Sequence, residues 1–276
     1  MKPERIPSSP FVRRSPRLAL AWLALVLTGF PALAQEPAEE IEQDPALSEK
    51  LKVFDEAVRD RKMERDEEAV GIIDELLTQH QDGMHPKDEQ SFQKSLEKVF
   101  TARQRKPDQP QLYAATVAAL GKIGGPVSSR ILVKLVDRKP FPDQDWTNLR
   151  EQMFENIGRT KDERQVEFLR KRAVNDPVDQ VKKAAGGALR HFEGSELRLR
   201  QTVFKELLVE YGRIYGDAHS SLDPGDALVA TRKRTLNAIA DTWNQTLAAL
   251  SGQSFRTAEE WQHWWNKHKD DRDAWK

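Results

Sequence analysis

The chain has 276 residues, with 44 basic and 44 acidic side chains, six histidines and no cysteine. Without cysteine there is no disulfide, thiolate metal site or cysteine nucleophile. A formal net charge of zero argues against nucleic acid as a general partner, because phosphate binding needs a net basic face.

Residues 1–34 read as an export signal. A basic stretch with Arg13, Arg14 and Arg17 leads into the apolar run LALAWLALVLTGF, and PALAQ supplies small residues for cleavage after Ala34. The run is shorter than the ~18 to 20 residues a spanning helix needs, so an uncleaved anchor is the second reading. The Arg13–Arg14 pair raises the twin-arginine route, but VRRSPRLAL lacks most of that signal's other preferences. Removing Lys2, Arg5, Arg13, Arg14, Arg17 and Glu4 leaves 39 basic and 43 acidic residues, a net charge near −4. The expected location is periplasmic or secreted, with no stable membrane insertion after cleavage. An exported chain without disulfides must be held by its core, and the 242 residues from Gln35 are enough to build one.

Residues 35–46 form an acidic, proline-containing lead-in with little to bury. Residues 47–107 have helical spacing: Leu47, Leu51, Phe54 and Val58, then Val70, Ile73 and Leu77, then Phe92, Leu96, Val99 and Phe100. Breaks fall at HQDGMHP, KPDQP, GGP, RKPFPDQ, NDP and DPGD, and no alternating β-branched run demands a sheet. The pattern predicts an all-α fold.

Residues 108–225 are self-similar. DQPQLYAATVAALG from Asp108, DWTNLREQMFENIG from Asp145 and DPVDQVKKAAGGALR from Asp176 superpose, so that Leu112, Leu149 and Val181 correspond, as do Leu120, Ile157 and Leu189. A second helix follows each: Ile131, Leu132, Leu135 and Val136 match Phe168, Leu169, Arg172 and Ala173, then Val203, Phe204, Leu207 and Leu208. Small residues on the first helices, among them Ala115, Ala118, Ala119, Ala184, Ala185, Gly187 and Ala188, allow close approach. The middle copy has Gln152, Met153 and Asn156 where the others are small, which predicts looser packing or altered spacing there.

The form D-P-x-x-x-V-K-x-A-A-x-x-A-L at Asp176–Leu189, with its looser copies, resembles HEAT repeats. The resemblance covers about residues 108–210 and implies a right-handed α-solenoid of stacked helix pairs. Residues 226–276 then read as closing helices. LAALSGQSFRTAEEWQHWWNKHK is similar to the end of many exported bacterial HEAT-repeat proteins, through Leu250, Ser251, Gly252, Phe255, Trp261, Trp264 and Trp265. That likeness brings no catalytic residue.

Within this closing helix Thr257 and Glu260 form a capping box, and Trp261, Trp264, Trp265 and His268 fall on one stripe. The stripe is expected to lid the stack, with Trp264 at its edge. An exposed Trp264 or Trp275 would instead suit a carbohydrate platform. The histidine loops HQDGMHPKDE, with His80 and His85, and GDAHSSLDPGD, with His219, Asp223 and Asp226, match no metal motif, and Ser220 beside His219 lacks a nucleophile elbow. GKIGGP at Gly121 is a helix end running into a turn, with glycine supplying positive φ. No cofactor motif is present.

The charge runs are RKR with Arg170 and Arg172, LRLR at Leu197–Arg200, and TRKRT with Arg232, Lys233 and Arg234. Each reads first as a solvated helix face. Stacked in register on successive second helices, they would form a basic stripe suited to an acidic segment of a protein partner. A pocket with Arg190, His191 and neighbouring acids would be the trace of an enzyme. The expectation is a non-catalytic exported binding scaffold.

Overall fold

The computed structural model describes residues 41–220 and 227–275; the expected signal, the first half of the lead-in, Asp223, Asp226 and the boundary at 225–226 lie outside them. Among the described residues there are helices and turns and no strand. The apolar spacings become α1 (Leu47–Arg59), α2 (Asp66–Gln79) and α3 (Pro86–Ala102), which bury Phe54, Val58, Ile73, Phe92, Leu96 and Val99. Pro86 opens α3, where its missing N–H costs nothing, and His85 Nδ1 accepts the Lys87 N–H at 3.2 Å.

The repeated region becomes three helix pairs: α4 (Gln111–Ile123) with α5 (Gly125–Val136), α6 (Thr147–Arg159) with α7 (Val166–Asn175), and α8 (Asp179–Ala188) with α9 (Leu197–Ala218). Gly124 and Gly125, at φ 76° and 70°, turn α4 into α5, as GKIGGP predicts. The chain closes with α10 (Ala227–Ser251) and α11 (Ala258–His268). The superposed positions are core positions: Leu112, Leu149, Val181, Leu120, Ile157 and Leu189 are all at most 4% exposed.

Each helix packs mainly on those one and two places along the chain. α2, α4, α6, α8 and α10 touch in succession, forming one row; α1 packs on α3, α3 on α5, α7 on α9 and α9 on α11 in a second. The pairs α1–α2, α3–α4, α5–α6, α7–α8 and α9–α10 join the rows. Local contacts of this kind let a helix bury its stripe without long-range closure.

The middle copy meets its neighbours across glycines. Asn156, which aligns with Ala119 and Ala188, enters the space that Gly121 of α4 leaves open: a Cβ there would sit 2.0 Å from the amide oxygen. One unit later Gly158, the equivalent of Gly121, lies under Ala188, with a Cβ 2.4 Å from its carbonyl oxygen. A close contact on glycine thus recurs between successive units, through the Asn156 side chain at Gly121 and the Ala188 backbone at Gly158; Met153 is fully buried. Gly186 and Gly187 likewise admit Trp243 and Thr242 of α10, and Trp243 Nε1 donates to the Lys182 carbonyl at 3.2 Å.

The closing segment packs α11 on α9. The capping box is present, with Thr257 Oγ1 accepting the Glu260 N–H at 3.3 Å and Glu260 accepting the Thr257 N–H at 3.0 Å. Phe204 of α9 sits among four rings, its centroid 5.7, 5.5, 5.5 and 5.2 Å from Trp261, Trp264, Trp265 and Trp275. Trp264 is 7% and Trp275 6% exposed, so Trp264 belongs to the core and Trp265 is the partly open ring. The helical wheel misplaces Trp264 because the chain beyond α11 folds back: Trp275 Nε1 donates to the His268 carbonyl at 3.1 Å and covers Trp264.

Candidate binding cleft between α8, α9 and α10

The start of α8, the last turns of α9 and the first half of α10 enclose a cleft of about 700 Å³. Asp176, Val178, Asp179 and Lys182 come from the α8 side, Arg213, Ile214 and Asp217 from α9, and Thr231, Arg232, Arg234, Thr235 and Ala238 from α10. Val178 precedes the first turn of α8 and is 40% exposed. It also lines a neighbouring cleft of about 500 Å³ with Gln144, Thr147, Arg150 and Glu151.

The carboxylates in and beside the cleft are largely satisfied. Glu210 of α9 takes both Arg213 Nε at 2.8 Å and Nη2 at 2.7 Å, and Lys182 Nζ at 3.2 Å. Burial raises its proton affinity, but the Arg213 hydrogen bonds and the Lys182 charge outweigh that and hold the carboxyl below its ordinary value. Arg213 also reaches Asp217 at 2.9 Å, and Asp176 accepts Arg172 Nη1 at 3.1 Å and the Val178 N–H at 3.0 Å. Thr235 donates to Asp179 at 2.9 Å.

Two guanidinium groups stand apart. Arg232 lies 3.9 Å from Asp217 and Arg234 3.9 Å from Asp179, beyond hydrogen-bond reach. Among the described residues both are ion-paired without a hydrogen bond, a looser hold than the bidentate contact guanidinium makes with a carboxylate.

The other residues singled out in the sequence are placed differently. Arg170 is held between Glu167 and Glu206, and Arg172 between Asp137 and Asp176 while lying 5.4 Å over the Phe168 ring. Both lie on α7, whereas Arg232, Lys233 and Arg234 lie on α10, in the row of first helices. The stripe expected along successive second helices is therefore not formed. Lys233 is exposed and outside the cleft. Arg200, from the LRLR run, donates to the Leu250 carbonyl at 3.1 Å.

Arg190 and His191 do meet an acid. Glu155 Oε1 lies 2.7 Å from Arg190 Nη2, 2.8 Å from His191 Nε2 and 3.2 Å from Arg159 Nε. Burial raises the Glu155 carboxyl, while the His191 hydrogen bond and Arg190 charge more than reverse that and lower it. This knot ties α6 to the turn after α8 and lines neither of the two clefts. Trp264 and Trp275, both buried, present no ring face for a sugar.

Sequence reading missed Lys182, Arg213, Asp179 and Thr235. The spacing of Glu210, Arg213 and Asp217 on one helical face was a readable signal for part of the set; the approach of Lys182 was not. Among the described residues no group of three or more His, Asp or Glu side chains is placed to hold a metal, and no helix is long and apolar enough to cross a membrane. No protein-family model matches the chain. No curated protein and no solved structure matches it significantly.

Proposed function

We propose that the chain is an exported, non-catalytic scaffold, a right-handed α-solenoid of HEAT-like helix pairs, that captures an acidic segment of a protein partner in the cleft between α8, α9 and α10. Helices packed on neighbours one and two places along, and a glycine joint that recurs between equivalent positions of successive units, support the repeat architecture. The basic stretch and apolar run before Ala34 support export. Stacked helices offer a preorganised surface, so little ordering cost opposes binding.

The observation that carries the reading is the pair Arg232 and Arg234, on the wall of a polar cleft and outside hydrogen-bond reach of their carboxylates. The test is capture of partners from the periplasmic fraction by the purified protein, followed by affinity measurement on the stoichiometric one. Arg232→Glu with Arg234→Glu is expected to weaken that affinity at least about tenfold, the scale of a lost charge-assisted contact replaced by repulsion. Lys233→Glu, outside the cleft, serves as the control and is expected to leave the affinity unchanged. Unchanged capture by the double variant sinks the reading.

A further inference from the structure

We infer that the segment captured in the α8–α10 cleft continues across Val178 into the neighbouring cleft between α6 and α8. The sequence recognised is then an extended one, in which an acidic stretch adjoins an apolar side chain and that in turn adjoins uncharged polar residues. This rests on the binding function proposed above and adds to it the pattern of what is bound. The two clefts, of about 700 and 500 Å³, share Val178 and Gln180 as lining residues, so they meet at the start of α8. At that junction Val178 is 40% exposed.

The fold gives no reason for a valine there. Val178 is the N-cap of α8, a position that favours Ser, Thr, Asp and Asn because their side chains accept a hydrogen bond from the first turn; α8 has no side-chain cap. Nor does Val178 belong to the buried core or to the side chains packed against it. Its backbone is nonetheless held, since Asp176, 6% exposed and bound by Arg172, accepts the Val178 N–H at 3.0 Å. A β-branched side chain on a fixed backbone has little rotamer freedom to lose, so an apolar group resting on it meets little ordering cost.

The walls on the two sides of Val178 differ in chemistry. Towards α10 stand the loosely paired Arg232 and Arg234. Towards α6 the charged residues are engaged within the protein: Arg150 donates to the Val136 carbonyl at 3.1 Å, and Glu151 lies 3.7 Å from Lys183. What that side offers is the exposed amides of Gln144 and Gln180, donors and acceptors suited to uncharged polar groups and to main chain. Charge on one side, methyl groups at the junction and amides beyond fix the order of side chains along the bound segment.

Fluorescence anisotropy with labelled peptides tests this on the purified protein. The probes carry Glu-Glu-Leu-Ser-Gln-Ser, in this and the reversed chain order, beside versions with Leu replaced by Ser and with both Glu replaced by Gln. In the order that binds better, the Leu peptide is expected to bind about fivefold tighter than its Ser version, the scale of a methyl group or two taken out of water. Val178→Ser should abolish that difference. Serine is the better N-cap, so this variant is expected to melt no lower than the parent, and lost affinity is then not lost folding. Gln144→Trp, filling the second cleft from an exposed position, should weaken the Leu peptide about threefold or more. Weaker binding of the Gln version, with the difference removed by Arg232→Glu and Arg234→Glu, upholds the acidic cleft by itself. Equal affinity of the Leu and Ser versions, a difference that survives Val178→Ser, or indifference to Gln144→Trp overturns this inference and leaves the acidic cleft standing. No binding of any probe, or equal binding of the Glu and Gln versions, overturns both.

Discussion

Arg105 is 1% exposed, yet in the sequence it sits in the polar stretch ARQRK, where nothing distinguishes it from a solvated helix tail. Its guanidinium donates to Asp66 through Nη2 at 2.8 Å and Nε at 3.1 Å, and to the carbonyls of Val58, Val99 and Arg103 at 3.0 to 3.1 Å. One side chain thereby ties the end of α1, the start of α2 and the end of α3. Arg105→Met removes the charge but leaves Asp66 and three carbonyls without it; a loss of about 3 to 5 kcal/mol in urea unfolding is expected. Asp162 is a second such residue. It accepts Ser129 Oγ at 2.5 Å, Arg164 Nε at 2.7 Å and Gln165 Nε2 at 3.2 Å. Burial raises its carboxyl, and the Arg164, Ser129 and Gln165 hydrogen bonds reverse this and hold it far below the ordinary 3.8. As pH falls the unfolded chain therefore takes up the proton first, so the stabilisation is complete well above 3.8 and is lost progressively below it. Asp162→Asn should flatten the acid limb of stability measured by denaturant titration from neutral pH downward; an unchanged limb counts against this assignment.

At the scale of the element, spacing between helices is set by which residue faces glycine. Gly121→Ala places a methyl against the Asn156 amide and should cost about 1 to 3 kcal/mol, the range for overpacking. Asn156→Ala puts at that position what Ala119 and Ala188 supply in the other units, so the double variant should recover most of the loss. A double-mutant cycle by thermal melting reads the coupling, and additivity of the two changes dismisses the joint. Periodicity located these helices and their buried faces, because burying a stripe requires three and four spacing whatever lies opposite. It could not show that Gly121 and Asn156 meet, since that is a relation between helices. Nor did it show that Phe141, in the segment read as the break RKPFPDQ, and Trp146, just after it, are 2% and 3% exposed and pack on Tyr113 at 5.5 Å. The closing segment behaves similarly. Trp264→Ala removes a ring held by Phe204, His268 and Trp275 and is expected to cost about 3 to 5 kcal/mol, with a red shift of tryptophan emission as Trp275 is uncovered.

Across the whole molecule, contacts run chiefly between near neighbours in the chain, so a local defect should stay local. In the Trp264→Ala variant hydrogen exchange is expected to accelerate in α9 and α11 while α1 to α3 keep their protection; uniform acceleration would instead show one cooperative unit. The candidate cleft was half legible. TRKRT marked Arg232 and Arg234 as a cationic cluster, but only the packing of α10 on α8 and α9 brings them to Asp179 and Asp217, while the clamping of Arg170 and Arg172 by acids removes them from the same role. The sequence by itself determined the all-helical class, several of the helix breaks, the capping box at Thr257 and the core face of each unit, because these follow from local propensity, capping and the helical period. Tertiary structure decided which cations are spent on internal ion pairs, which glycines admit a neighbour, and that Trp264 is covered. Each of those depends on what stands within a few ångströms across a helix interface, and a one-dimensional pattern carries the period of a face without the identity of what packs against it.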